Sequence, residues 1–285
     1  MSSAIDAVPH RTSQPAMSWA LWLRQIAAIL RFELHKNFFG RRAILIYLLA
    51  FLPLFPLLLL VIFDPPGDEW RDFVRVREIY ANLYNGIILR TIVFFGCAWI
   101  FMNLFRGEIV DRSLHYYFLS AVRREVLVVG KYISGLVTTV VVFTATTWIS
   151  LLMLYLPRQG VDAFISRQGL NHALTYAGIT LLACIGYGAF FLIVGLFVRN
   201  PIIPALLLYG WEWLNFLLPP LLKKVSVIHY LNSLMPVPVY EGPFAVVAEP
   251  TPAWIAVPSM LGVTIIVLAL AGYRIRHMEV RYGSD

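Results

Sequence analysis

Charged residues are scarce in this chain. Asp, Glu, Lys and Arg together make up 14% of its 285 residues, whereas 59% are hydrophobic. Soluble domains carry about 25% charged and 45–50% apolar residues. A water-soluble chain of this length lacks the interior volume to bury so much apolar surface. The composition therefore excludes an ordinary soluble domain and predicts an all-α membrane protein, a helical bundle covered by lipid.

The motifs of common catalytic centres are missing as well. The six histidines are scattered, and the sequence contains neither His-Glu-x-x-His nor Gly-x-Ser-x-Gly. Gly130-Lys131 is not a P-loop, because Glu125 stands where the motif requires its first Gly and Tyr132 where it requires Ser or Thr. We therefore expect no catalytic residue, no cofactor and no metal on this chain.

Cysteine and clustered basic residues are also sparse. Cys97 and Cys184 both lie inside apolar runs, which is typical of small buried side chains and predicts neither a disulfide nor a metal ligand. The net charge is +7, but the basic residues stand at the ends of apolar runs and form no patch between aromatic residues. This distribution favours a lipid bilayer as the partner and argues against nucleic acid.

Six apolar runs of about 20 residues predict six transmembrane helices, at roughly 43–63, 85–105, 132–156, 172–198, 202–222 and 254–273. Pro53 and Pro56 predict a kink in the first, and Arg90 is expected to extend towards the membrane surface. Small residues in the fourth predict close helix packing, either within the chain or between two copies. Residues 1–17 read as a disordered tail, and 274–285 form a second tail.

Residues 18–42 have the pattern of a helix lying on the membrane surface. Trp19 and Trp22 fall on one side at helical spacing, and Arg24 and Arg31 fall on the other. Basic amphipathic helices with tryptophan on the apolar side suit the membrane interface. An ordinary packed helix is the alternative.

The positive charges indicate the orientation of the chain. If both termini are cytoplasmic, the inner segments hold 15 of the 23 Lys and Arg residues and net +8, whereas the outer segments net −1. The positive-inside rule therefore favours a multi-pass protein of the cell's inner (cytoplasmic) membrane with both termini in the cytoplasm.

The fifth apolar run permits two structures. Glu212 lies between two tryptophans, and tryptophan prefers the membrane interface. The span then ends near Glu212, and 214–222 form a re-entrant hairpin before the last helix. The alternative is a straight span with Glu212 paired inside the bundle. Glu212 and Asn215 are the candidate polar residues of an outer gate or membrane interior.

A charged stretch, residues 106–131, separates the second and third spans and is called the connector below. It reads as a short amphipathic helix with paired charges, a turn at Arg123-Arg124, and Gly130-Lys131 leading into the next span. A generic basic loop is the alternative interpretation.

The order of features in the connector resembles the cytosolic loop of type-2 exporter permeases of the ATP-binding-cassette (ABC) transporters. In that family an acid is followed by a Leu-rich helix, a turn and Gly-Lys. Matching residues occur here in the same order: Glu108, Leu114, Leu119, Ala121, Arg123, Gly130 and Lys131. The usual Gly-Thr is replaced by Arg112-Ser113, and the usual Pro by Ala121-Val122. The layout of the whole chain is similar too.

This resemblance implies a transmembrane permease subunit that pairs with a second permease copy or paralogue. ATP and magnesium would bind to a separate cytosolic ABC ATPase. The connector would dock into that ATPase through the following residues: Glu108, Asp111, Arg112, Leu114, Tyr117, Phe118, Leu119, Arg123, Arg124 and Lys131. An ATP-independent secondary transporter or an accessory membrane subunit is the alternative function.

The charge distribution leads to a labelling prediction. Single cysteines introduced at Ser3 and Gly283 should be blocked from impermeant thiol reagents in intact cells, whereas one at Gly67 should label readily, because only Gly67 is expected outside. The measurement is labelling of intact cells against lysed cells. Labelling of either terminus from outside would overturn the orientation.

Overall fold

Every regular element in the described part of the chain is a helix. The computed structural model describes residues 19–41, 43–63, 73–110, 123–166, 169–198, 200–239, 246 and 249–277. Its helices are α1 Trp19–Phe39, α2 Ala43–Phe51, α3 Leu54–Phe63, α4 Phe73–Leu83, a π-helix Tyr84–Val93, α5 Phe94–Val110, α6 Arg124–Ser166, α7 Gly169–Phe197, α8 Ile202–Trp213, a 3₁₀ turn Leu214–Leu217, α9 Pro220–Lys223, α10 Val227–Ser233 and α11 Ala253–Arg276. The 1–17 tail, the connector residues 111–122 and the end of the second tail lie outside these residues.

Five of the described helical segments are long and apolar enough to cross a bilayer: Ala43–Phe63, Phe73–Glu108, Arg124–Pro157, Gly169–Phe197 and Ala253–Arg276. A sixth apolar segment, Ile202–Leu217, is shorter. The structure is therefore an all-α membrane protein, as the composition predicts. The first span consists of α2 and α3, which a turn at Leu52 and Pro53 separates, so the expected kink occurs at Pro53.

The second membrane segment begins earlier than its apolar run. The acidic stretch from 64 to 82 reads as a loop in the sequence, yet α4 starts at Phe73. Val76, Tyr80 and Ala81 lie on one face of α4 and are buried. The Tyr80 hydroxyl donates a hydrogen bond to the carbonyl of Thr147 on α6, at 2.8 Å. Contacts with α6 thus extend the helix into a polar sequence.

The π-helix between α4 and α5 is ten residues long and lies inside a helix that is otherwise α-helical. The Thr91 hydroxyl donates to the carbonyl of Gly86, five residues earlier, at 3.2 Å. π-Helical turns are rare in proteins, and many of those that do occur lie at functional sites. Here the wider turn lies in the middle of the bundle and carries Arg90, which is buried.

α5, α6 and α7 form the core of the bundle, and α1 packs chiefly against α6. Gly195 on α7 lies against the backbone of Met102 on α5, where an added Cβ would come within 2.8 Å of the Met102 carbonyl oxygen. At Gly188 an added Cβ would collide with the Phe101 ring. These two glycines allow close helix contact within the chain.

The fifth apolar run is not a straight span. α8 ends at Trp213, the 3₁₀ turn follows, and the chain then reverses through α9 so that the start of α10 returns to Glu212. The straight 21-residue helix is therefore wrong and the early end of the helix is confirmed. The straight-span alternative also placed Glu212 inside the bundle, and that part is correct, because Glu212 is buried inside the protein.

Candidate functional site

The two ends of the connector meet at one buried lysine. Lys131, eight residues into α6, extends its ammonium to Glu108 near the end of α5 and to Glu33 on α1. The Lys131 Nζ lies 2.6 Å from Glu108 Oε1 and 2.5 Å from Glu33 Oε1. We call these three residues the acid–lysine cluster. It joins α1 to both helices that flank residues 111–122.

The acid–lysine cluster is almost completely removed from solvent. The exposed fractions are 0% for Lys131, 1% for Glu33 and 2% for Glu108. Charges are buried at large cost unless they are paired and hydrogen bonded, and here each carboxylate has the ammonium as its partner. The Phe105 ring centroid lies 5.5 Å from the Lys131 Nζ and adds a cation–π contact. The cluster still holds two carboxylates for one ammonium.

A small cavity adjoins the acid–lysine cluster between α1, α2 and α5. Its volume is about 10 Å³, which is close to the space that one water molecule needs. Glu33, Lys36, Asn37 and Asn103 supply its polar lining. The charge of Lys36 also acts on Glu108 and offsets part of the excess negative charge.

The turn of the connector at Arg123 and Arg124 is fixed on two sides. The Arg123 guanidinium lies over the Trp22 ring of α1, at 5.2 Å from its centroid. Arg124 donates to the carbonyls of Ile275 and Arg276 at the end of α11, at 3.2 and 2.9 Å. At the start of the connector, Arg106 donates to the carbonyl of Val198, at 3.4 Å.

These positions differ from those expected for an interface with an ATPase. Glu108 and Lys131 were expected to face a partner, but their side chains are buried and bind each other. Arg123 and Arg124 make contacts within the chain, because α1 begins and α11 ends beside them. The other six candidates lie outside the described residues: Asp111, Arg112, Leu114, Tyr117, Phe118 and Leu119.

Glu212 is the centre of a second polar cluster. Its Oε2 accepts hydrogen bonds from the Ser226 hydroxyl at 2.8 Å, the Ile228 N–H at 2.9 Å and the Tyr187 hydroxyl at 3.3 Å. Its Oε1 accepts one from the Val227 N–H at 3.1 Å. Four donors thus surround a carboxylate that is only 2% exposed. The carboxylate holds the start of α10 against the end of α8.

Arg90 does not extend towards the membrane surface, as its position in an apolar run suggested. It is buried, and its guanidinium donates to the carbonyls of Glu212 and Trp213 at 3.2 and 3.3 Å. These carbonyls belong to the last turn of α8, and a cation at this end of a helix is favourable. Asn215 is also buried, and its Nδ2 has no hydrogen-bond partner within the described structure.

Glu33 was not among the residues predicted from the sequence, and Arg90 was expected at the membrane surface but is buried. A signal for Glu33 was present, because it follows Ile26, Ile29 and Leu30 on the face of α1 that packs inwards, at spacings of seven, four and three residues. An acid on an apolar face needs a buried partner. No comparable signal identifies the carbonyls that Arg90 binds, because their position beside Arg90 depends on where α8 ends.

No three His, Cys, Asp or Glu side chains converge on a possible metal position anywhere in the described ranges. Cys97 and Cys184 are free thiols. Comparison of the chain with protein-family models, with curated proteins and with solved structures found no match. The geometry of the two clusters is therefore the basis for the function proposed below.

Replacing Lys131 tests the acid–lysine cluster. Lys131→Met should remove the ammonium that both buried carboxylates, Glu33 and Glu108, bind and lower the free energy of unfolding by about 3–5 kcal/mol. Glu125→Gln is the matched control, because it breaks an ion pair with Arg276 that is 2.7 Å long but exposed, and it should cost no more than about 1 kcal/mol. Both are measured by denaturant unfolding of the detergent-purified protein. Equal losses in the two variants would contradict a structural role of the buried pair.

Replacing Glu212 tests the second cluster. Glu212→Gln puts an amide donor among groups that already donate, so it should cost at least about 1.5–3 kcal/mol. Glu249→Gln, at an exposed acid, should leave the unfolding midpoint unchanged. A Glu212→Gln protein as stable as the Glu249→Gln protein would show that the carboxylate does not hold α10 in place.

Proposed function

We propose that the chain is the transmembrane permease subunit of an ATP-driven exporter. A separate cytosolic ABC-type ATPase binds ATP and magnesium and docks on the connector, and a second permease copy or paralogue completes the transport unit. Both termini are cytoplasmic in this proposal, in the cell's inner membrane. The substrate crosses by alternating access.

The acid–lysine cluster is the observation that supports this proposal most. A docked ATPase has to transmit its closure through the connector to the membrane helices. Lys131 ties the end of α5 and the start of α6 to α1 through a single ammonium. The three elements therefore respond to a force on the connector as one rigid unit, and rigid-body movement of helices is a common route from a binding event to a transport step.

Further contacts on both sides of the connector support the same function. Arg124 binds the carbonyls at the end of α11, and Arg106 binds the carbonyl of Val198 that follows α7. A displacement of the connector therefore reaches four membrane helices directly. A generic cytoplasmic loop has no need of such contacts on both sides.

A secondary transporter is the second candidate, and the Glu212 cluster is the observation in its favour. Ionisable groups and interrupted helices inside the bundle are typical of ion-coupled transporters. Glu212 and the break after Trp213 provide both. Four protein donors already occupy the Glu212 carboxylate, however, which favours a structural role over ion coupling.

Co-purification tests the proposed function. The tagged chain, extracted from its native membrane in mild detergent, should retain a soluble partner that contains Gly-x-x-x-x-Gly-Lys-Ser/Thr and hydrolyses ATP. Leu119→Asp puts a charge on an apolar anchor of the connector. It should reduce the retained ATPase roughly 30-fold, the effect of losing a 2 kcal/mol interface hot spot.

Val161→Asp is the matched control. Val161 is 59% exposed and lies beyond the span that ends at Pro157, at the opposite end of the bundle from the connector. It should retain the ATPase at the wild-type level, and both variants should elute as monodisperse protein. A normal complex and normal ATP-dependent transport in Leu119→Asp would refute docking through the connector.

A further inference from the structure

A buried cluster of aromatic side chains, called the aromatic pocket below, lies at the end of the bundle opposite the connector, where α4 begins, α6 ends and α7 begins. The Phe73 ring is at its centre. It stacks with the His172 ring, with a centroid distance of 6.4 Å and an interplanar angle of 15°. It meets the Tyr155 ring edge to face, with a centroid distance of 5.9 Å. The Arg77 guanidinium lies 5.6 Å above the same ring. Tyr80 links Tyr155 to Tyr176, whose rings are 6.3 and 5.0 Å away.

Three polar atoms in this pocket lack hydrogen-bond partners within the described structure. They are the Nε of Arg77, the Nδ1 of His172 and the hydroxyl of Tyr176. The side chains of Tyr176 and His172 are deeply buried, with exposed fractions of 1% and 4%. Buried polar groups are nearly always paired, so three unpaired ones in a single pocket require an explanation.

The neighbouring tyrosines show that the folded chain can satisfy such groups. The Tyr80 hydroxyl donates to the Thr147 carbonyl at 2.8 Å, and the Tyr84 hydroxyl donates to the Tyr176 carbonyl at 3.1 Å. Both tyrosines are as buried as Tyr176. The unpaired hydroxyl of Tyr176 is therefore a feature of this pocket and not of the surrounding packing.

The three unpaired groups share one chemical property. The guanidinium N–H and the phenol O–H are donors, and the imidazole Nδ1 is a donor in one tautomer and in the protonated ring. The charge of Arg77 also acts on His172, Tyr155 and Tyr176, so the groups lie within one electrostatic environment. A ligand with several acceptor oxygens and a negative charge satisfies all of them.

We propose that Arg77, His172 and Tyr176 bind an oxyanion, a phosphate group or a carboxylate, in the pocket between α4, α6 and α7. Arg77 supplies the charge, and Tyr176 and His172 supply hydrogen bonds from the buried side. Phe73 and Arg77 are half-buried, so the ligand enters past these two side chains. The site uses no residue of the connector and does not depend on the proposed function.

Two sources provide this chemistry, namely a free anion and the headgroup of an anionic lipid. The experiment uses the full-length chain in a zwitterionic detergent. Inorganic phosphate is one probe, and short-chain phosphatidylglycerol below its critical micelle concentration is the other. Thermal unfolding is followed against probe concentration at constant ionic strength, with chloride as the reference anion, because a ligand that binds the folded state raises the unfolding midpoint.

Arg77→Gln and Tyr176→Phe test the pocket, and Arg75→Gln is the matched control on the exposed side of the same helix. Arg77→Gln should weaken binding at least about tenfold, since it removes a charge-assisted hydrogen bond, and Tyr176→Phe should weaken it about threefold to tenfold. Arg75→Gln should bind like the wild type. Without ligand, Tyr176→Phe should be as stable as the wild type, because the hydroxyl it loses has no partner.

Saturable stabilisation by phosphate that both pocket variants weaken supports a free anion. Stabilisation by the lipid alone, weakened by the same variants, supports a headgroup. Either result upholds the site. The proposal is overturned if neither probe stabilises the protein beyond chloride, or if the two pocket variants bind as tightly as Arg75→Gln does.

Discussion

The Lys131 ammonium is the contact on which the connector end of the bundle depends. It is buried together with two carboxylates, and none of the three charges is stable there alone. α1 therefore has one position, with Glu33 facing α6, and α5 and α6 have one relative position, with Glu108 facing Lys131. Apolar packing would hold these helices together, but it is less specific about their register.

Buried polar groups also need partners in the middle of the bundle. A membrane helix that stops inside the protein leaves carbonyls without partners, and lipid cannot supply them. Arg90 binds two of the carbonyls at the end of α8, and Glu212 binds the first N–H groups of α10. Residues that look costly in an apolar run thus satisfy an interruption of the backbone.

The sequence predicted the class of the protein and most of its helices, because apolar runs of about 20 residues depend only on local composition. It predicted the kink at Pro53 for the same reason. The positions predicted from the sequence for charged residues were less accurate. Arg90 was expected at the membrane surface and Glu108 at a partner interface, yet each is buried against a group far away in the sequence, which no local pattern reveals.

The sequence by itself determined that the chain is a membrane protein and that its regular elements are helices. Each of these follows from the number and order of residue types. Only the tertiary structure decided which charges face inwards, where α8 ends, and that Arg77, His172 and Tyr176 share one pocket. Those outcomes depend on contacts between helices, and the energy of burying a charge is decided by the partner that the fold brings to it.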